Sequence, residues 1–139
     1  RNDPRLGRNR LHLECEEGLK IQADAEQLKQ ALVNLVINSA QNSDEVVVEV
    51  RAHGSEDQVV LEVTDDGPGM EVEILDHIFE PFYTTRREGT GLGLALVHSI
   101  IEAHGAEIGV ESHPGRGTVF RMIFPRTDPV PDPSPVPAR

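Results

Sequence analysis

The sequence predicts an α/β fold, a two-layer sandwich in which a mixed, mainly antiparallel sheet carries helices on one face. Three observations lead there. Short stretches of alternating apolar and polar residues recur along the chain, as strands with one buried face require. Two longer stretches repeat their apolar residues at steps of three and four, the period of a helix. The strands are grouped so that neighbours can pair, with helical stretches between the groups, and such an order packs the helices as a second layer.

Residues 1–10 hold Arg1, Arg5, Arg8 and Arg10 with Pro4 and Gly7 and show no apolar period, so they read as a linker from a preceding domain. Leu11, Leu13 and Cys15 alternate, as do Leu19, Ile21 and Ala23 beyond Glu16-Glu17-Gly18, which predicts a β-hairpin. Asp24 stands as a helix N-cap with Gln27 three residues on, in the spacing of a capping box. Leu28, Ala31, Leu32, Leu35, Val36 and Ser39 then form the apolar side of an amphipathic helix. Val46, Val48 and Val50 predict one strand and Val59, Leu61 and Val63 another, joined by the turn Gly54-Ser55-Glu56-Asp57. A short helix with Ile74, Leu75 and Ile78 follows, then a helix over 91–104 ended by Gly105. Ile108 and Val110 mark a strand, Pro114-Gly115-Arg116-Gly117 a turn, and Thr118, Phe120, Met122 and Phe124 the last strand. Residues 127–139 hold five of the ten prolines, at every second position, which suits neither helix nor ladder and predicts a disordered or polyproline-like tail. The expected organisation is a linker at 1–10, one domain at 11–125 and a tail at 126–139.

Composition narrows the function. The 139 residues suit one domain with an aliphatic core, since 37% are apolar and Trp is absent. A formal charge of −11 argues against nucleic acid as partner, because neutralising phosphates needs an excess of Lys and Arg. Cys15 is alone, so no disulfide forms within the chain, in keeping with a cytoplasmic setting. No apolar run approaches the roughly 20 residues that span a bilayer. The chain opens on Arg rather than Met, as expected of a fragment of a longer protein.

Three stretches carry candidate chemistry. Residues 79–94 run from Phe79-Glu80-Pro81-Phe82 through Arg86 and Arg87 to Gly89-Thr90-Gly91-Leu92-Gly93, immediately before a helical pattern. Glycines expose backbone N–H groups, and a helix N-terminus favours an anion, so the stretch suits a phosphate; the alternative is a plain turn into a helix. It matches neither a P-loop nor the dinucleotide fingerprint. Asn34 and Asn38 stack four apart on one helix, either for a polar task or as an exposed pair. Asp65-Asp66-Gly67-Pro68-Gly69 closes a strand, as a tight turn or as a ligand site at a strand end.

Taken in order, these motifs resemble the catalytic, ATP-binding domain of bacterial sensor histidine kinases over roughly residues 11–125. That domain belongs to the ATPase superfamily shared with type II topoisomerases, mismatch-repair ATPases and a class of heat-shock chaperone, with a Bergerat-type ATP-binding fold. Asn34-x-x-x-Asn38 is similar to the N box, Asp65-x-Gly67-x-Gly69 to the first glycine box and Phe79 to Phe82 to the F box. Gly89 to Gly93 is similar to the second glycine box, and Gly117-Thr118 to the closing Gly-Thr. The resemblance implies ATP and Mg2+ as cofactors, with Asn38 giving its side-chain oxygen to Mg2+ and Asn34 and Arg86 also in the catalytic set. It implies that Asp65 accepts from the adenine amino group, helped by Thr118, while Gly67 and Gly69 let the backbone approach the purine. Ile74 and Phe79 would line the pocket, with Ile78 and Phe82 as further core or lid anchors. Gly89, Thr90, Gly91, Leu92 and Gly93 would close over the triphosphate. Gln41 and Asn42 depart from the commoner residues, although Asn-Ser-Ala-Gln is similar to a nitrogen-regulation subgroup, and Ala106 stands where a second Gly is usual.

Hydrolytic members of the superfamily carry a Glu base where this chain has Asn34, which cannot accept a proton at neutral pH; phosphoryl transfer needs no base there. None of the six histidines precedes an acidic residue, as the family's acceptor His does. The resemblance thus implies a γ-phosphoryl donor to a His on a separate dimerisation domain, in a homodimeric parent that serves a response regulator. The isolated chain would be a monomer. An anti-sigma-type serine kinase and a nucleotide-binding regulatory module without phosphotransfer are the alternatives.

Overall fold

A computed structural model of the chain describes residues 10–41, 45–83 and 93–126. The elements are β1 (Arg10–Cys15), α1 (Ala25–Ala40), β2 (Val47–Gly54), β3 (Gln58–Asp65), α2 (Val72–Leu75), α3 (Gly93–Ala103), β4 (Glu107–Ser112) and β5 (Thr118–Pro125). The strands form one sheet in the order β1-β2-β3-β5-β4. β1 and β2 are parallel and the other three pairings antiparallel, the mixed, mainly antiparallel sheet expected.

The expected hairpin at 11–23 does not form. β1 pairs in parallel with β2, Leu11 opposite Val48 and Leu13 opposite Val50. Residues 19–24 form no strand and lead into α1. A parallel pair needs a crossover, and α1 supplies it. The alternation at 19–23 reported burial correctly, since Ile21 packs against the core, but burial does not reveal a hydrogen-bonding partner.

At the start of α1, Asp24 accepts from the Gln27 amide at 3.1 Å, as an N-cap should. The reciprocal half of the capping box comes from elsewhere. The Asp24 amide donates to Nε2 of His104 at 3.0 Å. Nε2 is therefore the acceptor and Nδ1 carries the proton, which it gives to Ile100 O at 2.7 Å. One neutral imidazole thus ties the N-terminus of α1 to the C-terminus of α3. α3 ends as expected at Gly105 (φ 70°).

The core lies between the two long helices and one face of the sheet. Ala31 and Leu35 of α1 and Val97, Ile100 and Ile101 of α3 meet Val48, Val63, Phe120, Met122 and Phe124 of the strands. Ala106 is buried in this cluster, so a methyl group is accommodated where a glycine was usual. The opposite face is charged and wet. There Arg121 bridges Glu62 and Glu111, and Arg51 meets Glu14 at 3.3 Å. Arg126, the first residue assigned to the tail, binds the β2–β3 turn through Ser55 O (2.7 Å) and Asp57 O (2.9 Å).

The β4–β5 turn packs against the segment after β3 with almost no space. A Cβ on Gly117 (φ 78°) would sit 2.0 Å from the carbonyl oxygen of Asp65, and backbone cannot yield as a side chain can. Gly115 has a similar φ of 80° but open space around it. Gly115→Ala should therefore cost only the left-handed strain, about 1–2 kcal/mol. Gly117→Ala should cost roughly 3 kcal/mol or more, or prevent folding. Urea denaturation of the two variants tests this; equal losses would contradict the close contact.

Candidate functional site

Asp65 ends β3 directly opposite Thr118, the first residue of β5, so both side chains leave the same face of the sheet. They point to the helix side, where Asp65 is 2% exposed and Thr118 1%. A carboxylate buried this far needs partners. Oδ1 accepts from the Gly67 amide at 2.9 Å. Ser39 of α1, fully buried, lies beside the carboxylate and favours its ionised form. Yet neither Ser39 Oγ nor Asp65 Oδ2 completes a hydrogen bond with another described residue. Burial is the larger influence and pushes the Asp65 pKa above the ordinary 3.8, against the pull of the Gly67 amide and Ser39. The floor of the site is therefore a buried carboxylate with the Gly67 amide on Oδ1, the Thr118 amide and Ser39 hydroxyl close by, and no completed hydrogen bond on Oδ2.

The segment after Asp65 is fixed at every step. Asp66 Oδ1 accepts from the Val47 amide (2.8 Å), which joins the segment to β2. Pro68 O accepts from the Gly115 amide at 2.7 Å. Gly69 (φ 73°) runs so close to the next hairpin that a Cβ would meet His113 O at 2.0 Å. The Met70 amide donates to Ser112 Oγ at 2.8 Å. The Asp-x-Gly-x-Gly stretch is thus a tight turn and also the frame of a buried carboxylate.

The remaining expected residues fall as follows. Asn34 and Asn38 are both half-buried on α1, and Asn38 immediately precedes Ser39. Ile74 and Phe79 are half-buried against the core, with the Phe79 ring edge-on to Phe120 at 6.3 Å. Ile78 is buried in that cluster. Phe82, expected as an anchor, is instead 74% exposed with φ 70°, because the turn closed by Tyr83 N–H on Glu80 O swings it outward. Gly93 begins α3. Arg86, Gly89, Thr90, Gly91, Leu92 and Asn42 lie outside the described residues.

Two residues were not singled out from the sequence. Ser39 was visible as a polar residue on the apolar side of α1, but was counted as part of that stripe. Ser112 continues the alternation of Ile108 and Val110, and nothing local marks its hydroxyl. The residues present suit an adenine base, whose amino group matches the unpartnered Asp65 Oδ2. They suit Mg2+ only as a shared ion, since no group of three His, Cys, Asp or Glu among the described residues could hold a metal.

A raised pKa means that the charged form of Asp65 costs stability. The contribution of the protonated form is present in full below the ordinary 3.8 and is lost as pH rises through the raised folded value. Asp65→Asn should therefore melt higher than the parent at pH 7. The gap should close as pH falls through the folded pKa. Melting curves from pH 3 to 8 check the sign, and a variant less stable at pH 7 would contradict it.

A family model described as histidine kinase-, DNA gyrase B-, and HSP90-like ATPase matches residues 23–128. Sensor histidine kinase ZraS of Escherichia coli (strain K12) is 46% identical over 107 residues, which cover 76% of this chain and 23% of that protein. Sporulation kinase A of Bacillus subtilis (strain 168) is 39% identical over 112 residues, 80% of this chain and 18% of that protein. The chain spans about a quarter or less of the length of these curated relatives. Among solved structures, the catalytic domain of histidine kinase ThkA in a nucleotide-free form has a TM-score of 0.76 at 32% identity, covering 86% of this chain and 80% of that one. Full-length ShkA in complex with AMPPNP gives 0.79 at 30% identity, over 92% of this chain and 28% of that one. The chain belongs to the family of histidine kinase-, DNA gyrase B- and HSP90-like ATPases, among its histidine-kinase catalytic domains.

Proposed function

We propose that this domain binds Mg-ATP and donates the γ-phosphoryl group to a histidine on a separate dimerisation domain of a two-component sensor kinase. The observation that carries the reading is the buried, unpartnered Asp65 Oδ2. A carboxylate oxygen accepts a hydrogen bond and cannot donate one, so it selects the adenine amino group over a keto oxygen at the same place. A related protein, ShkA, has been solved with the ATP analogue AMPPNP, which supports a nucleotide at this site.

Asn38 would offer its side-chain oxygen to Mg2+, with Arg86 near the outer phosphates and Gly89 to Gly93 supplying amides to them. The metal, when bound, would neutralise charge on the transferring phosphoryl group, and one protein oxygen suits magnesium, which keeps water and phosphate around it. Asn34 leaves no base to activate water at its position, which favours transfer over hydrolysis. The unit at 11–125 would work as the catalytic domain, with 1–10 leading from the dimerisation domain and 126–139 as a tail. A response regulator would take the phosphoryl group onward, in the cytoplasm where ATP is available.

Calorimetric titration with a non-hydrolysable ATP analogue should show binding that tightens with Mg2+ and weakens on chelation. Asn38→Ala should abolish the metal dependence. Asp65→Asn should lower affinity roughly tenfold or more, the size of a hydrogen bond to a charged group. Unchanged affinity in Asp65→Asn would sink the adenine assignment. Phosphorylation of an added dimerisation domain on His separates a kinase from a regulatory module, and phosphoserine on a supplied substrate would point to the serine-kinase alternative.

A further inference from the structure

The hydroxyl of Ser112 lies 5% exposed at the end of β4, outside every motif discussed above, and touches three groups. It accepts from the Met70 amide at 2.8 Å, donates to Gly117 O at 3.0 Å and meets Thr118 Oγ1 at 2.8 Å. A hydroxyl has one proton and two lone pairs. The carbonyl of Gly117 can only accept, so the Ser112 proton goes there. The bond to Thr118 must then run from the Thr118 hydroxyl to the second lone pair of Ser112. Ser112 is saturated, and the proton of Thr118 is committed to it.

We propose that Ser112 is a specificity-positioning residue: by capturing the Thr118 proton it leaves Thr118 with lone pairs only, beside the equally proton-free Asp65 Oδ2. The wall formed by these two residues then accepts and never donates. A six-amino purine satisfies such a wall, and a six-keto purine leaves acceptors facing an acceptor, a mismatch that buried sites reject. Without Ser112, the Thr118 hydroxyl is free to turn its proton toward the base and tolerate the keto group. The inference rests on the adenine reading of the site and adds a residue that touches neither base nor phosphate.

The test is calorimetric titration of the chain and its variants with a non-hydrolysable ATP analogue and the matching inosine triphosphate analogue, alongside a thermal melt. The unsubstituted chain should prefer the adenine form by about tenfold or more. In Ser112→Ala the adenine-to-inosine ratio should fall by roughly three- to tenfold, the worth of one hydrogen bond. Ser112→Cys, close in size and a weak acceptor, should give the same fall and serves if the Ala variant does not fold. Ser112→Thr keeps a hydroxyl for the Thr118 proton and should retain the ratio. Parallel losses of both affinities with an unchanged ratio would mean that Ser112 only braces the loop, and would overturn the inference while leaving the adenine reading intact. No preference in the unsubstituted chain would overturn both.

Discussion

Two backbone segments meet at closer range than any side chain would permit, and the site depends on that meeting. Gly117 lies against the carbonyl of Asp65, and Gly69 against that of His113. These contacts hold the end of β3 to the β4–β5 turn, so that Asp65 and Thr118 sit opposite one another at the rim of the sheet. Move the two segments apart by the width of a methyl group and three things fail together. The register between Asp65 and Thr118 loosens, the bond from Met70 to Ser112 lengthens, and the Gly115 amide leaves the carbonyl of Pro68.

The same contacts explain how an unfavourable residue is kept. A carboxylate at the edge of an aliphatic core raises the free energy of the folded state, and its elevated pKa reports that cost. Around it the structure places the amides of Gly67 and Thr118 and the hydroxyl of Ser39, yet Oδ2 completes no hydrogen bond with a described residue. A residue selected only for stability would be neutral here. A half-satisfied acid at the mouth of the core is a candidate ligand-binding group, and the proposed function assigns it that role. The helices then define the remaining wall. His104 fixes α1 to α3 at one end and the shared core fixes them along their length, so Asn34, Asn38 and Ser39 hold a set position relative to the strand ends.

Electrostatics divides the molecule in the same way as packing does. The outer sheet face carries exposed ion pairs such as Arg51 with Glu14, which salt screens and which contribute little to stability. On the helix side Asp65 is removed from water, where each hydrogen bond is stronger and each missing one more costly. A net charge of −11 gives no long-range attraction for a nucleotide. The nucleotide recognition proposed above must therefore act at contact distance, through local groups, shape and the direction of individual protons.

The sequence by itself determined the elements whose signals are local. Apolar period gave α1 and α3, alternation gave β2 to β5, and Asp24 and Gly105 marked helix ends, because caps and amphipathic faces are properties of a few consecutive residues. The order of the motifs carried the resemblance to the family, and the roles of Asn34, Asn38, Asp65 and Thr118 are expectations from that resemblance. Tertiary structure alone decided what depends on residues far apart in the chain. It turned an expected hairpin into a parallel pair, since alternation reports a buried face and not a partner. It replaced Gln27 by His104 at the cap of α1, turned Phe82 outward, and put a methyl at Ala106 into the core. It also brought Ser39 beside the acid at the end of β3 and Ser112 to Thr118, which stands opposite that acid. A hydroxyl carries no information about its neighbours until folding supplies them, and only then does the direction of its one proton become fixed.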